Sequence, residues 1–127
     1  MPQITVDYSE RLADGFDRPA FARDLHTAVV DIAAAKPPAC KTRFRRTEDV
    51  VVGPDTDGHA LVHVHIALLP GRTEETKARL TEAVLDLLRQ YVKPGGDLTL
   101  HASAEVRELD ASYRKFEEWT GSVSGRQ

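Results

Sequence analysis

The second residue of the chain is a proline, Pro2, directly behind the initiating methionine. Methionine ahead of so small a residue is usually removed, and a mature chain beginning at Pro2 carries a free secondary amine. An α-amine in water is mostly protonated at neutral pH, with reference values of about 7.7–8.0. Neighbouring cations and a dry pocket both disfavour the charged form and lower that value. A neutral nitrogen held rigid by its own ring could then take a proton from carbon and return it elsewhere. On position alone, the same proline could simply open a strand.

Cations form the second constellation. Lys41, Arg43 and Arg45 alternate along one face of an expected strand, and Arg46 falls on the other. On a chain of net charge -3 this wall invites an anion, a carboxylate above all. Arg72 adds a cation where a strand meets a helix start, whose free amides also favour anions. Paired with acidic neighbours, the run would instead be a solvated strand. It is too short, and lacks the interleaved aromatics, for nucleic acid.

Other candidates carry less. His63 and His65 share a strand face at the spacing of a metal pair, but catalytic zinc needs a third protein ligand. His26, His59 and His101 are not spaced to supply it, so the histidines read as structural and no metal site is expected. The single cysteine, Cys40, excludes an intrachain disulfide and a cysteine cluster. It has no evident histidine partner and reads as packing.

Two rounds of the same pattern must position these groups. Residues 2–8 alternate, with Ile4, Val6 and Tyr8 on one side, as a half-buried strand does. Phe21, Leu25, Ala28, Val29 and Ile32 then form one helical stripe, capped by Asp17 with Pro19 in the first turn. Lys36-Pro37-Pro38 stops it. A strand over Lys41–Thr47 and a turn around Gly53–Gly58 follow. Residues 60–69 read as the central strand. Thr73 caps a second helix with the stripe Leu80, Val84, Leu87, Leu88 and Tyr91, and residues 98–106 alternate again. The tail from about Asp110 is polar, with Tyr113, Phe116 and Trp119 expected to pack on a neighbouring subunit.

Strand–helix–strand repeated twice predicts an α+β fold of duplicated, right-handed β-α-β units, a four-stranded sheet with two helices on one face. The other face is expected to expose Leu, Val and Ala, so burial against identical copies is the economical solution. With 127 residues, 41% hydrophobic and 29% charged, the chain is one domain, 1–127, of an ordinary soluble kind. No bilayer-spanning stretch and no signal segment are evident. A cytoplasmic protein, with neither nucleic-acid nor membrane partners, is expected.

Taken together, the chain resembles the tautomerase superfamily, and within it the 5-carboxymethyl-2-hydroxymuconate Δ-isomerases. The opening Pro2-Gln3-Ile4-Thr5-Val6-Asp7-Tyr8-Ser9 is similar to that family's Pro-x-x-x-Val-Glu-Tyr-Ser start. Val62-His63-Val64 with Pro70-Gly71-Arg72-Thr73-Glu74-Glu75 resembles its strand and Gly-Arg-Ser/Thr helix start. Glu105-Val106-Arg107-Glu108-Leu109-Asp110 and Ser112-Tyr113-Arg114-Lys115 resemble its last strand and tail.

The resemblance implies a symmetric homotrimer and a cofactor-independent isomerase. Its base is the mature N-terminal proline, here Pro2, and its substrate carboxylates meet cations at Arg72, Lys41 and Arg43. It departs at Lys41, where arginine is expected, and at Arg45, near a common histidine; a lysine point charge recognises a carboxylate differently from a planar fork.

The leading expectation is proton and double-bond movement in an unsaturated 2-hydroxy or 2-keto di- or tricarboxylic acid of aromatic-compound catabolism. Rivals are a related hydratase or dehalogenase with Pro2 as general acid, and a non-catalytic trimeric binding protein.

Overall fold

The alternating start becomes strand β1 (Gln3–Ser9), which buries Ile4, Val6 and Tyr8 and turns Gln3, Thr5 and Asp7 the other way. The computed structural model describes residues 1–121. A 3-10 turn (Glu10–Gly15) leads into α1 (Arg18–Ala33), where the Asp17 carboxylate accepts the Ala20 amide and Pro19 occupies the first turn. Then come β2 (Lys41–Thr47), β3 (His59–Leu68), α2 (Glu74–Tyr91) and β4 (Thr99–Glu108). The Thr73 hydroxyl accepts the Thr76 amide, and Glu74 and Glu75 sit at the positive end of α2.

The strand order is β2-β1-β3-β4. The pairs β1–β2 and β3–β4 are parallel, each bridged by its helix, and β1–β3 in the middle is antiparallel. These are the two expected β-α-β units, joined edge to edge. One core unites Ile4 and Val6 of β1, Val62, Val64 and Ile66 of β3, and Phe21, Leu25, Val29, Leu80, Val84 and Leu88 of the helices. Both helices therefore cover one face.

The opposite face is not the apolar patch expected. The pleat sends Val62, Val64 and Ile66 under the helices and sets His63 and His65 on the open side, level with Asp7 and Thr5. Beside them stand Arg43 and Arg45 on β2 and Ser103 and Glu105 on β4. Leu61 and Ala67 share the open side with these polar groups, so an apolar patch of Leu, Val and Ala does not by itself account for self-association.

The fully buried helical stripes are narrower than expected. Ala28, Ile32 and Leu87 are half-buried and line a hollow between α1 and α2, away from the sheet. Phe21 packs edge-on to Tyr91 across that seam, and the Tyr91 hydroxyl donates to Asp24.

Gly15 is required by close approach. A Cβ there would lie 2.2 Å from the Lys93 carbonyl oxygen, while the Lys93 amide donates to Gly15 at 2.9 Å. Among the described residues no helix is long and apolar enough to cross a membrane.

Candidate active site

Register alone gathers the candidate residues at one end of the sheet. Gln3 pairs with Lys41 at the starts of β1 and β2 and with Ala67 near the end of β3. Ala67 in turn pairs with Arg107 near the end of β4. The end of α1 and the start of α2 arrive there too, because each helix bridges a parallel pair. Chain start, helix ends and the root of the tail thus meet.

Pro2 is buried in this corner, and its carbonyl accepts the Lys41 amide at 3.2 Å. It lies in a cleft of about 240 Å³ whose lining includes Met1, Ala34, Lys36, Leu69 and Arg72. Arg72 is half-buried and tethered by main chain: Nε donates to the Ala33 carbonyl at 2.9 Å and Nη1 to the Leu69 carbonyl at 3.2 Å. Nη2 has no hydrogen bond among the described residues. The guanidinium is thus held at the cleft by two of its edges while keeping donor capacity for an anion.

The electrostatics follow. The amine of the untrimmed chain belongs to Met1 and is held below its ordinary value, first by burial and then by the Arg72, Lys115 and Lys41 charges. A trimmed chain would present the Pro2 nitrogen one residue further into the same surroundings. Cys40, buried beside it, has its thiol pushed up by burial, and its sulfur points to the Lys36 carbonyl at 3.7 Å. It is neutral packing, as read from the sequence.

The cationic strand divides. Lys41 lies outside the lining of the Pro2 cleft, its ammonium 3.4 Å from the Pro38 and Ala39 carbonyls, but its charge reaches the terminal amine. Arg43, one pleat further on, donates to Gln3 Oε1 at 2.6 Å. Arg45 lies further still and makes a two-pronged pair with Asp7, at 2.7 and 2.9 Å, which holds the Asp7 carboxyl below its usual range. Neither Arg43 nor Arg45 lines the Pro2 cleft of its own chain.

The histidines engage the sheet. His63 Nδ1 lies 2.7 Å from the Ser103 hydroxyl, and His59 sits between Asp55 and His101. Among the described residues no group of three or more His, Cys, Asp or Glu converges as a metal site.

Two cations escaped the reading of the sequence. Lys36 had served only as a helix stop, yet it lines the cleft. Lys115 had figured only within a tail motif, yet it acts on the terminal amine. The available signal was topological: a strand parallel to β3 must deliver its tail to the end where β1 begins. A larger hollow of about 320 Å³ lies at the far end of β1. Its lining sets Glu10, Glu48 and Asp49 against the single cation Arg11 and so disfavours an anion.

The comparisons with known proteins concern the fold and the family. The fold is that of a solved 5-carboxymethyl-2-hydroxymuconate isomerase from Deinococcus radiodurans R1, with a TM-score of 0.72 at 22% identity over 91% of this chain and 90% of that one. A structure described as a Q0 fused 4-OT wild type symmetric trimer matches with a TM-score of 0.71 at 20% identity, over 98% and 99%. N1, a member of the cis-3-chloroacrylic acid dehalogenase family, matches with a TM-score of 0.62 at 25% identity, over 84% and 74%. No curated protein matches the sequence.

The fold and the family match together show an isomerase of the tautomerase superfamily. The sequence pattern of the 5-carboxymethyl-2-hydroxymuconate isomerase family matches residues 2–118, and the chain belongs to that family. Membership sets aside the non-catalytic binding protein.

Proposed function

We propose that the mature chain, trimmed to Pro2, isomerises an unsaturated 2-hydroxy or 2-keto di- or tricarboxylic acid of the 5-carboxymethyl-2-hydroxymuconate kind. The neutral Pro2 nitrogen takes a proton from the carbon next to the carbonyl and redelivers it further along the conjugated system. Arg72 holds a carboxylate and stabilises the oxygen on which charge develops, and Lys41, outside that cleft, adds its charge to the same field. No cofactor is required, since the dienolate is accessible once its oxygen is stabilised.

The observation that carries this reading is the shared cleft of Pro2 and the tethered Arg72. The same cations that attract the substrate disfavour a protonated amine, so binding and base activation arise from one field. Arg43 and Arg45, the remaining candidates for the substrate anion, are occupied by Gln3 and Asp7 in the single chain.

Assembly as a homotrimer is part of the proposal and is supported by the trimeric solved relative. So is a place in aromatic-compound catabolism in the cytoplasm. Replacing Pro2 with alanine exchanges the rigid secondary amine for a flexible primary one. The expected loss in kcat/KM on a 2-hydroxymuconate-type acid is about 100-fold or more, with fold and assembly retained. Wild-type turnover in that variant overturns the role.

The likeness to a dehalogenase-family protein at 25% identity favours one second reading, in which Pro2 acts as an acid in hydration or dehalogenation. The pH dependence of the rate separates the two.

A further inference from the structure

A second cavity, of about 220 Å³, opens on the other side of the chain start, lined by Gln3, Lys41, Tyr113, Lys115, Phe116 and Glu117. Its wall is the tail beyond β4, and the tail is built to stay there. The Leu109 amide donates to the Leu68 carbonyl at 2.7 Å, extending the β3–β4 ladder past the last strand residue. Asp110 then closes a turn, accepting the Ser112 amide on its side chain at 2.8 Å and the Tyr113 amide on its carbonyl at 2.9 Å. The Tyr113 hydroxyl accepts from Gln3 Nε2 at 3.3 Å, which moors the tail to the first residue of β1.

Two residues further on, Lys115 has no hydrogen bond and no ion pair among the described residues. Its charge nevertheless reaches the terminal amine, as that of Arg72 does from the first cleft. An ammonium lining a cavity, with no carboxylate partner among the described residues, is a site for one brought by a ligand. Glu117 is the single acidic group in this lining, against Lys41 and Lys115. Phe116 adds an apolar wall.

We infer that Lys115 is a specificity-determining residue which, with Lys41, receives a second carboxylate of a substrate whose first carboxylate lies at Arg72. The inference deepens the proposed function and rests on it for the position of the first carboxylate. The cleft that holds Pro2 and Arg72 and the cavity at Lys41 and Lys115, both at the start of β1, then measure the substrate's two anionic ends. An acid with a single carboxylate engages only the Arg72 side.

Binding of unreactive acids tests this without turnover, so the result stands apart from whether Pro2 is the base. Adipate and hexanoate share a six-carbon chain and differ in the second carboxylate. Calorimetry on the full-length wild type should show tighter binding of adipate. Lys115→Ala should weaken adipate about tenfold and leave hexanoate within about twofold, the size expected for one charge-assisted contact. Lys115→Arg should retain the preference, and Glu117→Gln should sharpen it by removing the opposing charge. An unchanged adipate-to-hexanoate ratio in Lys115→Ala, an equal loss for both acids, or no adipate binding by wild type overturns the inference. Lys115 is exposed, so its removal does not disturb the core.

Discussion

Arg72 Nε donates to the carbonyl of Ala33, joining the residue ahead of the α2 cap to the last residue of α1. Ala34 follows in the left-handed region, at φ 58°, so α1 ends abruptly with carbonyls still seeking donors. The guanidinium supplies one, and a positive charge at a helix C-terminus is favourable in itself. One side chain therefore fixes the corner of the fold and charges the cleft that contains Pro2.

This double duty predicts that lysine cannot replace Arg72. An ammonium keeps the charge but cannot span the Ala33 and Leu69 carbonyls while facing a ligand. In Arg72→Lys, kcat/KM on a dicarboxylate enol should fall about tenfold or more, and Arg72→Ala should fall further. Steady-state kinetics on both variants check this ordering. Equal activity in Arg72→Lys and wild type would remove the fork from the account.

The lowered amine fixes the direction of the pH profile. A base works only when deprotonated, and a lowered pKa extends the neutral fraction to lower pH. The rate should therefore rise with pH through an inflection below the ordinary range of about 7.7–8.0 for a terminal amine. For the Met1 amine of the untrimmed chain burial is the leading cause of the depression and Arg72 the next; carried one residue on to the Pro2 nitrogen, the same order predicts that Arg72→Ala moves the inflection upward without restoring the full ordinary value. A rate that falls across the same range would identify Pro2 as an acid.

Gly15 makes a prediction about stability alone. A Cβ at Gly15 would lie 2.2 Å from the Lys93 carbonyl oxygen, a main-chain atom that cannot rotate away as a side chain could. Gly15→Ala should cost about 1–3 kcal/mol in denaturant unfolding, the range for overpacking. A cost near zero would mean that the 3-10 turn shifts freely against Lys93.

Much of this was legible in the sequence, because period-two and period-3.6 patterns depend on local burial. Ile4, Val6 and Tyr8 declared β1, and Thr73 with Glu74 and Glu75 declared the start of α2. Pro2, Lys41 and Arg72 could be singled out by type and position.

What the sequence concealed was sidedness. The open face was expected to expose Leu, Val and Ala because near-continuous hydrophobicity in β3 masks the alternation, and His63 and His65 mark the open side only once β1 is set beside it. The pairing of Arg45 with Asp7 needed the β1–β2 register, and the reach of Lys115 needed the parallel β3–β4 pair. Gly15 lay in a stretch that carried only a polar break, since its partner Lys93 is far along the chain.

The central claim concerns a nitrogen that exists as an amine only if the first residue is gone. Intact-mass spectrometry of the purified protein, taken beside its specific activity, reads this directly. The account predicts that active preparations have lost one methionine residue and that activity scales with the trimmed fraction. Full activity from a preparation retaining Met1 would contradict it, because the Pro2 nitrogen would then be an amide with no lone pair available as a base.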